Sequence, residues 1–449
     1  MRLTLIMKSF LAAGLLAAST LGNIPARAAP ADTILMVTST QDAVDDSPGD
    51  SQCHTLVSSP AGGACTLRAA VMEANATSGL GAIIQVPAGV YTLRISADVT
   101  DTADTGDLNL TTPGSGDPLI TITGAGAGRT IIDAHQVDRV LHVEFGRTAK
   151  LSGLTLRGGY VVDAYGGGLY NQGSLSLDHV AISGNQVNGI SWAGGGVDNS
   201  NTLTITDSTV GPNNTASNCG GLCNAGVLLM ERSTVYGNSA AGLGGGIYNY
   251  QGNSMVLIDS TISHNSTTED GGGIANGGTA NVYNLSIVFN TADSANLGGG
   301  AGLGGGVFSG GSGTFNMRNS LLAGNQRGTA QLDDCEGTLQ AYGNNLLSSF
   351  SDCTVTQNFA GTAGLLNDIL SIGPLANNGG PTLTQALLAG SNAIDGSDGS
   401  CVDENSIPLA TDQRGVARSL GVRCDLGARC DLGALETLPP ALYLPLVRR

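Results

Sequence analysis

Aromatic residues make up 4% of this 449-residue chain, with one tryptophan, Trp192. A broad aromatic platform for sugar faces is therefore excluded, and only a few tyrosines could supply a local one: Tyr160, Tyr165, Tyr170, Tyr248 and Tyr250. Lysine is nearly absent, with Lys150 the only one after Lys8, and between Gly158 and Gln326 the only Lys or Arg residues are Arg232 and Arg318. Acidic residues number 36 against 19 Lys and Arg, a net charge of −17. Such a surface repels nucleic acid, anionic lipid and polyuronate chains, so nucleic acid is not a partner. Beyond residue 28 no apolar run reaches the ~20 residues of a membrane-spanning helix. The nine cysteines include no C-x-x-C pair, which removes the usual zinc signature.

What is abundant is glycine, 68 residues, roughly twice its ordinary ~7% share. Much of it falls in a repeat of about 26 residues. A glycine triplet, an aliphatic residue and usually an Asn open each copy, as in Gly166 to Asn171, Gly194 to Asn199, Gly244 to Asn249 and Gly271 to Asn276. Looser copies begin at Cys219 and Gly304, and the copies close on Asn185, Asn213, Asn238, Asn265, Asn290 and Asn325. Within a copy the apolar residues alternate (Leu175, Leu177; Leu203, Ile205; Val256, Ile258), the period of a half-buried strand. Strands this short, separated by Gly- and Asn-rich corners, predict a right-handed parallel β-helix in an all-β solenoid. Equivalent Asn residues are expected to stack as a hydrogen-bonded ladder rather than to bind ligand.

The open ends of such a coil need caps. Leu67, Ala70, Val71 and Ala74 recur at i, i+3, i+4 and i+7 behind Thr66, which predicts a short capping helix with Thr66 as its N-cap. Residues 1–28, with Arg2 and Lys8 before an apolar stretch and Ala26-Arg27-Ala28 at its end, read as a secretory signal peptide. Export suits disulfides, for which Cys53–Cys65, Cys219–Cys223 and Cys335–Cys353 are the local pairs. Cys401 is left with either Cys424 or Cys430. The expected organisation is signal 1–28, N-terminal cap region 29–118, β-helix repeats 119–330, a β-rich C-terminal region 331–436 and a tail 437–449. The tail is too short to span a bilayer, and a sorting tag and an extra edge strand both fit it.

Cys65-Thr66-Leu67-Arg68-Ala69-Ala70 resembles the Cys-Ser-Leu-Arg-Glu-Ala motif of a family of secreted bacterial proteins, the CSLREA-domain family. The glycine-triplet repeats resemble pectate-lyase-like right-handed β-helices and polymorphic outer-membrane-protein repeats. Asn378-Gly379-Gly380-Pro381-Thr382, Ser391-Asn392-Ala393-Ile394-Asp395, Asp412-Gln413-Arg414-Gly415 and Cys430 to Glu436 resemble the choice-of-anchor region of bacterial surface proteins. The resemblance implies a secreted or cell-surface location, with a C-terminal anchor-type region, and no particular activity. Two departures stand out. Ala69 replaces the motif's Glu, half of a capping box, so Ala69→Glu is expected to raise the melting temperature. Cys424 to Ala428 duplicates Cys430 to Ala434.

Lyases and hydrolases of the resembling fold carry a basic residue with calcium-binding carboxylates, or clustered aspartates with His and Arg-Lys signatures. The sequence has no Gly-His-Gly, Arg-Ile-Lys or Asn-Thr-Asp, and no catalytic or cofactor residue is assigned. Asp178-His179 is the nearest approach, but neighbours on a strand point to opposite faces. His264, at a corner, reads as an ordinary corner residue. Asp101, Asp104 and Asp107, and likewise Asp42, Asp45, Asp46 and Asp50, read as solvated loops, with a calcium clip as the alternative. The function expected is a secreted or cell-surface structural or adhesive solenoid facing the cell envelope or an extracellular glycan or protein. The alternatives are a polysaccharide lyase or glycoside hydrolase, and a calcium-dependent glycan-binding module.

Overall fold

The computed structural model describes residues 32–418, except 78–80, 99–101, 112–117, 190–192, 297–301, 350–351, 358–363, 366–371, 395, 398–400 and 404, together with Ala434. The signal segment, Trp192, Asp101, Cys424, Cys430 and the tail lie outside the described residues.

Each repeat is one rung of a parallel β-solenoid. In the rung that starts at Gly166 the strands are Leu169–Asn171, Ser174–Asp178, Ala181–Ser183 and Gln186–Asn188. The first two belong to one large sheet, and the last two to a second and a third sheet. Every strand pairs in parallel with its counterpart in the next rung, so Leu175 faces Leu203 and Ile182 faces Val210. The inward residues stack by kind, for instance Leu177, Ile205, Met230, Leu257, Val282 and Met317, all buried. Burial of about 1.5–3 kcal/mol per such side chain drives the coil shut. Parallel pairing begins at Thr33–Met36 with Ala82–Val86 and continues past residue 330, through Cys335–Tyr342 to Cys353–Gln357.

Asparagine side chains run up two inner corners. One ladder is Asn171, Asn199, Asn224, Asn249 and Asn276, each Nδ2 donating to the next Oδ1 at 2.7–2.9 Å. The other is Asn185, Asn214, Asn238, Asn265, Asn290 and Asn325, with Asn325 donating in turn to Asp334 at 2.8 Å. The rung holding Thr209 and Val210 has one residue more before its corner than the rung before it. Asn214 therefore occupies the ladder, and the predicted Asn213 takes the left-handed corner position at φ +63°. One recurring corner does without glycine among the described residues from 169 on. Where the long strand turns into the second sheet, His179, Asp207, Arg232, Asp259, Asn284 and Asn319 all have φ between +45° and +55°. Polar residues tolerate this region because their side chains can bond locally.

The N-terminal cap is a helix, Leu67–Ala76, with Thr66 accepting the Ala69 N–H as its N-cap. The sequence expectation for Ala69 fails. Its side chain is fully buried in the core, so a glutamate there would bury a carboxylate instead of completing a capping box. Arg68 nails the cap in place, pairing with both oxygens of Asp42 and donating to the carbonyls of Ala103, Gly106 and Asp107. All three local disulfides form, and the Cys219–Cys223 Cα atoms lie 5.3 Å apart. Cys401 is also disulfide-bonded.

The C-terminal segments fold back against the outer face of the second sheet. Ile372, Leu387 and Ala393 pack on Val288, Leu321 and Ala323, forming a second, smaller apolar layer outside the coil. Gln413 is buried there, accepting from Thr261 Oγ1 at 2.7 Å and donating to Thr234 Oγ1 and Thr382 Oγ1 at 2.9 Å. Arg418 donates to Asp259 at 2.6 Å, a buried ion pair. The described parts of the motifs read as anchor-like, at 378–382 and 412–415, thus clasp the flank of the solenoid, and the Asp403 and Ser406 loop lies against the large sheet near Tyr283 and Tyr342.

Candidate functional site

In each short strand of the large sheet the middle residue points outward while its neighbours point in. Register makes these residues a column: His142, Tyr170, Asp198, Cys223, Tyr248, Ala275, Phe308, Glu336. With rungs ~4.8 Å apart, Tyr248 and Phe308 stand about 9.6 Å apart along the axis. Ala275, between them, is only 1% exposed and does not itself border the slot that the two rings line. The volume of the slot is about 250 Å³. A flat ring packed at about 3.5–4.0 Å from two aromatic faces needs about 7–8 Å between them. Gly277 and Gly310 line the side of the slot. A Cβ on Gly310 would strike the Phe308 ring, so glycine there is what lets that ring lie where it does. Gln251 donates to Ser312 at 3.0 Å, tying two turns together at the rim.

Towards the N-terminal end the column is roofed by tyrosines. Tyr170 stacks on His142 (4.9 Å) and Tyr165 (5.4 Å), with the Arg139 guanidinium 5.9 Å from its ring centre. Tyr250 tilts against Tyr248 at 4.3 Å, and its hydroxyl lies 3.6 Å from Cys223 Sγ. Between these two pairs sits Asp198, 3% exposed, whose Oδ2 accepts the Gly194 N–H at 3.2 Å. Burial pushes its carboxyl up to about 7, against weaker opposing hydrogen bonds from Gly194 and Ser200. Burial likewise raises Tyr250, with the Asp198 charge adding to it.

Four of the five tyrosines singled out from sequence therefore meet on one face. Tyr160 does not, since its strand lies in the third sheet, where its hydroxyl accepts from Asn188. Phe308 was missed, yet it occupies the same place after its glycine triplet as Tyr170 and Tyr248, and aligning the repeats would have found it.

Asp178 and His179 are brought together, against expectation. His179 is not on the strand but at the corner, φ +55°, which swings Nδ1 to 2.7 Å from Asp178 Oδ1. With Asp207 they form a trio whose ligand atoms lie within 4.8 Å of one another. Both Asp207 oxygens already accept from Arg232 at 2.9 Å, and Lys150 Nζ is 4.0 Å from Asp178, so cations already occupy the ground a metal would need. His264 sits at a corner, φ +55°, its pKa lowered by burial. Of the acidic loops, Asp104 accepts from Thr102, Asp107 is ion-paired to Arg139 at 3.0 Å, and Asp42 is taken by Arg68. Asp45 is buried and pushed up to about 6 by desolvation.

Compared with known proteins, the chain matches no family model and no curated protein. A solved structure similar to it is the crystal structure of pectate lyase Pel9A, at 15% identity and TM-score 0.43, covering 91% of this chain and 97% of that one. At that level of similarity no residue or activity of that enzyme carries over.

Proposed function

We propose that the chain is a secreted or cell-surface adhesive β-solenoid that holds a neutral glycan on the outer face of its large sheet. The observation that carries this reading is the slot lined by Tyr248 and Phe308, two aromatic side chains two rungs apart. Aromatic rings supply the apolar face that a sugar ring stacks on, and the Gln251 and Ser312 side chains at the rim supply hydrogen bonds to hydroxyls. The acidic surface disfavours anionic glycans. Disulfides favour an oxidising, extracytoplasmic compartment.

The test is a screen of neutral polysaccharides and oligosaccharides, with and without calcium, with product detection on the same samples. Phe308→Ala and Tyr248→Ala should each weaken binding about tenfold, about 1.4 kcal/mol. Binding unaffected by both changes would overturn the slot. The enzymatic alternative has one observation in its favour, a near-neutral carboxyl at Asp198 between two tyrosine pairs. Cleaved or unsaturated products lost in Asp198→Asn would replace the adhesive reading with that one. Calcium dependence would support the calcium-dependent binding module.

A further inference from the structure

Asp42, Asp107 and Asp207 each hold an arginine, but the acidic loop that follows Asp42 has no cation against it. That loop, 45–51, carries Asp45, Asp46 and Asp50. It lies against Glu73 of the cap helix, whose Oε2 and Oε1 accept the N–H groups of Gly49 and Ser51 at 2.5 and 2.6 Å. Among the described residues no Lys, Arg or His forms an ion pair with any of these four acids.

Two of the four carboxylates are out of water: Asp45 is 5% exposed and Glu73 is fully buried. Asp45 Oδ1 accepts the Ser47 N–H at 3.3 Å. Its Oδ2, shut off from solvent, has no hydrogen-bond partner among the described residues. Burial raises the Asp45 carboxyl, and the charges of Glu73, Asp46 and Asp50 raise it further, so all three are near enough to be felt there. A buried carboxylate ordinarily pairs with a cation or binds a metal, and here the protein supplies no counter-charge.

The donors name the ion. They are carboxylate oxygens, which suit a hard cation rather than zinc or copper. Each Glu73 oxygen keeps an acceptor site beyond the N–H it already takes. No three of these acids bring ligand atoms within 4.8 Å of one another, as Asp178, His179 and Asp207 do. Calcium tolerates that spread, because it takes roughly six to eight oxygens in flexible geometry and completes its shell with water and carbonyls. Magnesium demands a near-ideal octahedron. We propose that Asp45 Oδ2 and Glu73 hold a calcium ion that clamps the 45–51 loop to the cap helix, with the exposed Asp46 and Asp50 closing the shell from the solvent side. The site lies in the cap, outside the repeats, and is separate from the Tyr248–Phe308 slot.

The experiment is isothermal titration of calcium chloride into the full mature chain after EDTA treatment, repeated on Asp45→Asn, Asp50→Asn and Asp178→Asn. Thermal melts in EDTA confirm that each variant folds. Calcium should bind with a Kd of about 10⁻⁴–10⁻³ M, the range of extracellular modules. Affinity should fall about tenfold or vanish in Asp45→Asn, fall in Asp50→Asn, and stay unchanged in Asp178→Asn. Calcium should also raise the melting temperature of the native chain and leave that of Asp45→Asn where it was. Asp50 is exposed, so that variant tests the site even where Asp45→Asn disturbs the cap. No calcium uptake by the native chain at millimolar concentrations would overturn the proposal. Uptake that survives both Asp45→Asn and Asp50→Asn but disappears in Asp178→Asn would overturn it as well, and would place the ion at the Asp178, His179 and Asp207 trio instead.

Discussion

Replacing Asp198 by Asn should stabilise the protein near pH 8 and change it little near pH 4. The carboxyl is buried under Tyr170 and Tyr250, and its pKa rises from 3.8 to about 7. Because the shift is upward, the native state keeps a proton that the unfolded chain releases between those two values. Stability then falls as pH rises across that window: the contribution of Asp198 is fully present below about pH 4 and is lost as pH climbs through 7. Three units, the difference between about 7 and 3.8, at about 1.4 kcal/mol each give a cost of roughly 4 kcal/mol once the group is ionised. Asn keeps an Oδ1 acceptor for the Gly194 N–H and carries no charge, so the variant should recover most of that cost. The assay is urea unfolding followed by circular dichroism at about pH 4, 6 and 8, scored as the difference between the two proteins. Taking the difference cancels Asp45, Asp333 and Asp334, which burial also raises, each to about 6. A difference that stays flat from about pH 4 to 8 would refute the reasoning.

Two further substitutions probe the frame that holds the face. Asn265→Leu removes four ladder hydrogen bonds, donated to Val235 O and Asn290 Oδ1 and accepted from Asn238 N and Nδ2, at 2.9–3.1 Å. It should cost about 3–5 kcal/mol in urea unfolding, with orphaned buried donors counted; a loss below about 1 kcal/mol would mean that water replaces the amide. Arg418→Ala leaves Asp259 buried without its cation, so a loss of about 3–5 kcal/mol and faster proteolysis between 378 and 418 are expected. An unchanged cleavage pattern would show that the clasp holds without this pair.

The coil itself was legible because its signals are local and repeated. The glycine triplets, the alternation of Leu175 and Leu177 and the terminal Asn residues each recur six times or nearly so, and each copy corroborates the rest. The helix over Leu67–Ala76 was equally readable from its N-cap and its apolar stripe. What the sequence hid depends on single-residue shifts and on distant chain. Asn213 and Asn214 are adjacent and chemically identical, so only the packed corner reveals which one joins the ladder. Asp178 and His179 alternate only if both lie on a strand, and a left-handed residue at the corner cancels the alternation. Gln413 meets Thr234 and Thr261 across some 150 or more residues, a contact no local pattern encodes. The slot falls between these cases. Its two rings occupy one repeat position, but its sides come from the loops that hold Gln251, Gly277 and Gly310.

The second ladder has a direction and a terminus. Every Asn from Asn185 to Asn325 both gives and takes an amide hydrogen bond, whereas the Asp334 carboxylate accepts from Asn325 and has no amide to hand onward. In the ladder's own bonding the inner rungs are equivalent and the last is not, although those carrying Thr234, Asp259 and Thr261 also hold the clasp. Duplicating the repeat between Asn185 and Asn214, ahead of the clasped rungs, would lengthen the rod by about one strand spacing, ~4.8 Å, while both ends stayed as they are. The separation between the helical cap and the far end can in this way change through unequal crossing-over of the gene, in fixed steps, without a new fold.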